Sequence, residues 1–100
     1  MTIEITKENE TMTGLLNGRL DTAAIAEFSQ RIATLKENAD KRIILDFAGL
    51  QFISLPGIKL LQSLQSMVKN CGGSLSIRNA AMTIMQLFTA TGFASMFNFE

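Results

Sequence analysis

At roughly 100–200 residues per domain, the 100 residues leave room for a single domain, spanning 1–100. Nine Lys and Arg balance nine Asp and Glu, so no net field draws the chain to nucleic acid or to an anionic membrane surface. Histidine is absent, which removes the commonest general base, the commonest metal ligand and every imidazole-based triad or dyad, and with them most hydrolase mechanisms.

The elements follow in chain order. Thr2-Ile3-Glu4-Ile5-Thr6 alternates polar and apolar residues as a half-buried strand does, and Met12 to Leu16 predicts a second strand, with Asn9 and Glu10 turning a hairpin between them. From Thr22 the period changes: Ile25, Phe28, Ile32 and Leu35 form a helical stripe, with Asp21 as N-cap and Asn38 to Asp40 as the stop. Ile43-Ile44-Leu45 is a continuous β-rich run, as in a central strand covered on both faces. Pro56, the only proline, opens a second helix and biases Leu55 toward the extended conformation of a cap residue. Leu60, Leu61, Leu64, Met67, Val68 and Cys71 supply that helix's apolar arc of about 120°, and Gly72-Gly73 ends it. Ser74 to Arg78 alternates again. Ala81, Ile84, Met85 and Phe88 mark a third helix capped by Gly92, and Phe93 to Phe99 supplies a short edge strand with Phe97 and Phe99 on one face.

The order ββαβαβαβ predicts a single α/β domain, a mixed sheet with helices packed on it and parallel pairing after the first hairpin. The uncharged stretch from Asn79 to Phe99 has the length of a membrane span, but Thr83, Gln86, Thr89, Gly92 and Asn98 keep one helical face wet, which argues against insertion. A single cysteine cannot make an internal disulfide and no signal-like segment opens the chain, so a cytoplasmic location is expected.

Ligands of open α/β sheets gather beyond the carboxyl ends of the strands, here the loops Gly18–Thr22, Ala48–Gly57 and Asn79–Ala81. The second is the informative one. Ser54-Leu55-Pro56-Gly57 stands at a helix N-terminus, which favours anions, yet it lacks the multiple glycines and Gly-Lys-Ser/Thr ending of a P-loop, and a capped helix explains it. Ser54 with Lys59 makes a weak nucleophile pair, because nothing lowers the lysine pKa; Asp21 and Asp46 offer too few oxygens for a hard cation; Cys71 sits on the apolar arc as a buried thiol. Neither catalysis nor a cofactor is called for. On the helical wheel Ile58 lies some 60° outside the arc, among Gln62, Gln65 and Lys69, which predicts partial exposure. With Leu55 and Pro56, and with Phe52 and Ile53 before them, it would form an apolar patch of the kind that marks a protein contact; alternatively Phe52 and Ile53 fold under and one apolar residue shows.

Gly18-Arg19-Leu20-Asp21, then Asp46-Phe47-Ala48-Gly49-Leu50-Gln51-Phe52-Ile53, then Gly57-Ile58 opening a Leu-rich helix, and the terminal Thr91-Gly92-Phe93 resemble the STAS domain, the family of bacterial anti-sigma-factor antagonists and of the cytosolic tails of sulfate transporters. The resemblance covers essentially the whole chain. In that family the loop before the helix commonly reads Asp-Ser-Ser-Gly, and its first serine is phosphorylated by a kinase that is also an anti-sigma factor. Matching on Gly57 places Ser54 at the aspartate, Leu55 at the phosphorylated serine and Pro56 at the second serine, so the usual phosphoacceptor is missing; Ser54, one position away, is the remaining candidate.

The resemblance implies a non-catalytic protein-interaction module for a regulatory partner of the anti-sigma factor or serine-kinase type. Its surface would comprise Asp21, Thr22, Ser54, Leu55, Pro56, Gly57, Ile58 and Gln62. Alternatives are an accessory subunit of a membrane transporter complex and a sensor of a small nucleotide or lipid at the helix N-terminus. The apolar excess and the C-terminal edge strand leave a homodimer open.

Overall fold

A computed structural model describes all 100 residues as strands β1 (Thr2–Glu8) and β2 (Thr11–Leu20), helix α1 (Ile25–Lys36), β3 (Arg42–Ile53), α2 (Leu55–Cys71), β4 (Ser74–Arg78), α3 (Met82–Ala90) and β5 (Asn98–Phe99). Single 3-10 turns at Thr22–Ala24 and Ala94–Met96 precede α1 and β5. The predicted ββαβαβαβ order holds. The strands lie side by side in sequence order, β1 antiparallel to β2 and every later pair parallel. The Cα radius of gyration is 12.2 Å, close to the ~13 Å expected for this length.

The hairpin turns at Asn9, whose φ of 55° is one that asparagine tolerates better than most residues. One face of the sheet carries Ile3, Met12, Leu16, Leu20, Ile43, Leu45, Phe47, Leu50, Ile53, Leu75 and Ile77, and these join Phe28, Ile32 and Leu35 of α1, Ile58, Leu61, Leu64 and Val68 of α2, and Ile84 and Phe88 of α3 in one core. Phe88 is its aromatic centre, edge-on to both Phe97 and Phe99 at 5.3 Å. That contact holds down the C-terminal strand, which is shorter than the Phe93–Phe99 expectation because Ala94–Met96 forms a 3-10 turn.

Two segments expected to be loops are strand. β2 continues through Gly18 to Leu20, and β3 continues through Ala48 to Ile53. The register of the pair explains why the pattern hides this. Leu15 pairs with Asp46 but Asn17 with Gly49, and Gly18 pairs with Leu50 but Arg19 with Phe52, so β3 carries an extra residue at each of two bulges. Its core-facing residues therefore run Phe47, Leu50, Ile53 at a spacing of three, which matches neither a regular strand nor a helix. Gly18 takes φ 97° at the second bulge, a conformation that side chains rarely adopt. These bulged ends carry the β2–β3 ribbon beyond the paired length of β4 and aim it at the start of α2.

Candidate functional site

Three contacts fix the start of α2. The Ser54 backbone N–H donates to the Leu20 carbonyl at 2.8 Å, tying the helix to the end of β2. Ser54 is the N-cap, extended at φ −82° and ψ 164°, and its Oγ accepts from the Gly57 N–H at 3.3 Å. The cap is thus Ser54 and not Leu55, which is the first helical residue, ahead of Pro56. Gly57 is pressed onto the sheet: a Cβ there would come within 2.9 Å of the Leu20 side chain and 3.1 Å of Ile53 Cγ1. This close approach favours glycine at the position.

Nearby, Asp21 caps the turn leading into α1, with Oδ1 accepting from the Ala24 N–H at 3.3 Å, and Thr22 is exposed beside it. Asp21 also lines an open cleft of about 410 Å³ with Met1, Arg19, Ala23, Ala24 and Glu27. Arg19 lays its guanidinium over Phe52, 4.6 Å from the ring centroid, so that ring is half-covered. Leu20 links the two groups: its carbonyl holds Ser54 while Asp21 follows it in the chain.

The structure keeps part of the anticipated patch and removes the rest. Leu55 is 42% exposed and Pro56 is exposed. Ile58 is 1% exposed, contrary to expectation, and Ile53 and Gly57 are buried as well, so none of these three presents a side chain outward. The buried stripe of α2 is Gly57, Ile58, Leu61, Leu64 and Val68, rotated by roughly 60° from the predicted arc. Met67 and Cys71 correspondingly face solvent, so the thiol placed in the core by sequence is exposed.

Neighbouring elements set this rotation. α1 lies along one flank of α2, where Lys36 Nζ bonds Ser63 Oγ at 3.1 Å, and the turn before β5 lies along the other, where Gln65 Nε2 reaches the Met96 carbonyl at 3.1 Å. The sheet meets the helix between these flanks, on the side of Ile58 rather than Met67. Gln62, half-buried, contacts Met96 Sδ at 3.7 Å and stands one helical turn from Ile58, on the flank of α2 away from α1.

Asp46 is remote from Asp21 in role: its Oδ1 accepts from the Ala48 N–H at 2.9 Å and from Asn79 Nδ2 at 3.1 Å, bracing the first β3 bulge. No group of three or more acidic or cysteine side chains is placed to hold a metal, and no helix is long and apolar enough to cross a membrane. The candidate site is an exposed apolar pair, Leu55-Pro56, on a braced helix end, with Asp21 and Thr22 following Leu20, whose carbonyl holds Ser54.

The fold is shared with solved bacterial proteins. The anti-sigma factor antagonist SpoIIAA, in its unphosphorylated form, superposes with a TM-score of 0.78 at 19% identity, covering 99% of this chain and 88% of that one. A Thermotoga maritima protein described as an anti-sigma factor antagonist gives 0.85 at 11% identity, covering 97% and 84%. In sequence, BtrV of Bordetella bronchiseptica, described as an anti-sigma factor antagonist, is 21% identical over 97 residues, 97% of this chain and 84% of its own length. The model of the STAS domain matches residues 2–100, and the chain belongs to the STAS domain family.

Proposed function

We propose that this chain is a non-catalytic binding module of the anti-sigma factor antagonist kind, and that its partner is a regulatory protein of the anti-sigma factor or serine-kinase type. The partner docks on Leu55 and Pro56, with Asp21, Thr22 and Gln62 at the edges of the contact. The observation that carries this reading is the exposure of Leu55 on a helix start that is capped, glycine-clamped and tied to β2: a leucine there adds little to the core and is held rigid for a partner.

Ile58 and Gly57 take part as supports, from beneath. Leu55 stands where related loops carry the phosphorylated serine, and it has no hydroxyl. A phosphate would add about −1.5 to −2 charge and desolvation cost to an apolar contact. The module is therefore held in the binding-competent condition. Ser54 Oγ is engaged with Gly57, and intact-mass measurement of the protein from its native host is expected to show no stoichiometric phosphate.

Affinity capture from host extract, run separately on the soluble fraction and on solubilised membranes, tests the reading with Leu55→Asp beside the native chain. Asp in the first turn of a helix is favoured by the helix dipole, so the variant keeps its fold. A kinase-like or other regulatory protein is expected with the native chain and absent with Leu55→Asp. Capture of a membrane transporter component, or binding indifferent to position 55, would contradict it.

A further inference from the structure

The three helices cover one face of the sheet, and the other face has no helix upon it. Ile44 lies there: it is 5% exposed, yet it stands outside the core, between core residues Ile43 and Leu45 that point the opposite way. A cleft of about 330 Å³ opens over it, lined by Thr6, Glu8, Thr11, Thr13 and Arg78 among others, a size at the lower end of the ~300–1,000 Å³ usual for small-molecule sites.

Arg78 is the anomaly of this face. The other three arginines are each engaged: Arg19 on the Phe52 ring, Arg31 Nη2 on the Ile3 carbonyl at 2.9 Å, Arg42 on Glu100 at 3.5 Å. Arg78 is half-buried and has no ion pair, and its Nε is buried with no acceptor. Its cross-strand neighbour Asp46 turns Oδ1 to the Ala48 N–H and to Asn79 Nδ2 and makes no ion pair with it. A buried polar atom without a partner is costly and uncommon in folded proteins. Across the cleft Glu8 also lacks a cation, and the two opposite charges do not pair with each other.

We propose that this cleft binds a small zwitterion of the α-amino-acid class. The carboxylate meets the Arg78 guanidinium, the ammonium meets Glu8, the Thr6, Thr11 and Thr13 hydroxyls serve the polar atoms between, and Ile44 forms the apolar floor. A ligand carrying both signs meets both charges, whereas a phosphate dianion would face the Glu8 charge. The site is separate from the Leu55 surface and does not depend on the protein-binding reading.

The test is an amide chemical-shift titration of the purified chain with each of the common L-α-amino acids, and with acetate, methylammonium and inorganic phosphate as probes carrying one sign of charge only. At least one amino acid is expected to give saturable shifts at Thr6, Thr11, Thr13 and Ile44, with the single-sign probes far weaker. Arg78→Gln should weaken that amino acid at least about tenfold. Glu8→Gln should weaken it too, while leaving its N-acetylated form, which lacks the ammonium, unaffected. Glu8 is exposed, so this second variant decides the matter even where Arg78→Gln perturbs the fold. No saturable shift from any amino acid below about 10 mM, shifts centred elsewhere, or acetate or phosphate binding as tightly as the amino acids would overturn the proposal.

Discussion

The starts of α2 and α3 both follow the carboxyl end of a parallel strand, and they are built in opposite ways. At α2 the N-cap is Ser54, with a side-chain hydrogen bond, a proline in the first turn, a backbone tie to Leu20 and a glycine pressed against the sheet. At α3 the N-cap is Ala81, which has no side chain able to cap, and the first residue, Met82, is 76% exposed. The more exposed apolar residue thus stands on the less braced helix end. Exposure alone would select Met82 as the contact; rigidity selects Leu55, because a side chain whose backbone is already fixed loses less freedom on binding. The pair teaches that two helix starts at the same edge of the sheet differ in how firmly they are held, and the proposed partner surface is placed on the firmer one.

The difference can be broken from beneath. Ile58→Ala should have the largest effect, about 2–5 kcal/mol of lost stability for a fully buried branched side chain, against a smaller loss for the partly exposed residue that the helical wheel suggested. Denaturant titration separates these outcomes directly. Next, Gly57→Ala should cost about 1–3 kcal/mol, since its methyl group overlaps Leu20. In a double-mutant cycle with Leu20→Ala the two costs should fall short of additive by about 0.5–3 kcal/mol, because the truncated Leu20 makes room. Strict additivity would show that the clamp is not where the structure puts it.

The two helix caps carry smaller effects. Ser54→Ala should lower stability by about 1 kcal/mol through the lost cap, and Ala81→Ser should raise it by a similar amount or less by giving α3 the cap it lacks. For a domain of this size each kcal/mol moves the melting midpoint by roughly 4–8 °C, so thermal denaturation resolves both. The smallest effect is expected for Leu55→Ser and Met82→Ser, each within about 0.5 kcal/mol in stability, with partner binding reduced only by the first.

How much of this was legible follows from what each signal encodes. Pro56 marked the start of α2, and Ser74 to Arg78 marked β4 to the residue, because ring chemistry and strict alternation are local properties. The ends of β2 and β3 were hidden, since two bulges replace the period of two with Phe47, Leu50 and Ile53 at intervals of three. The patch was half legible. Leu55 and Pro56 are exposed as expected, but Ile58 turns inward and Cys71 outward, because the buried arc of a helix is chosen by its neighbours. A wheel that weighs Met67 and Cys71 equally with Leu64 points to the average of the apolar residues; α1, the sheet and the Met96 turn define a different direction. No sequence signal marked Arg78, because its lack of an ion pair and the turning of Asp46 Oδ1 to Ala48 and Asn79 exist only in the folded chain.

Whether the braced start of α2 is the partner surface is decided by amide hydrogen exchange on the complex recovered by capture, compared with the free chain. Added protection is expected at Leu20 to Thr22 and from Ser54 into the first turns of α2, with the amides at the start of α3 unchanged. Protection confined to the Met82 end, or to the open face of the sheet, would contradict it.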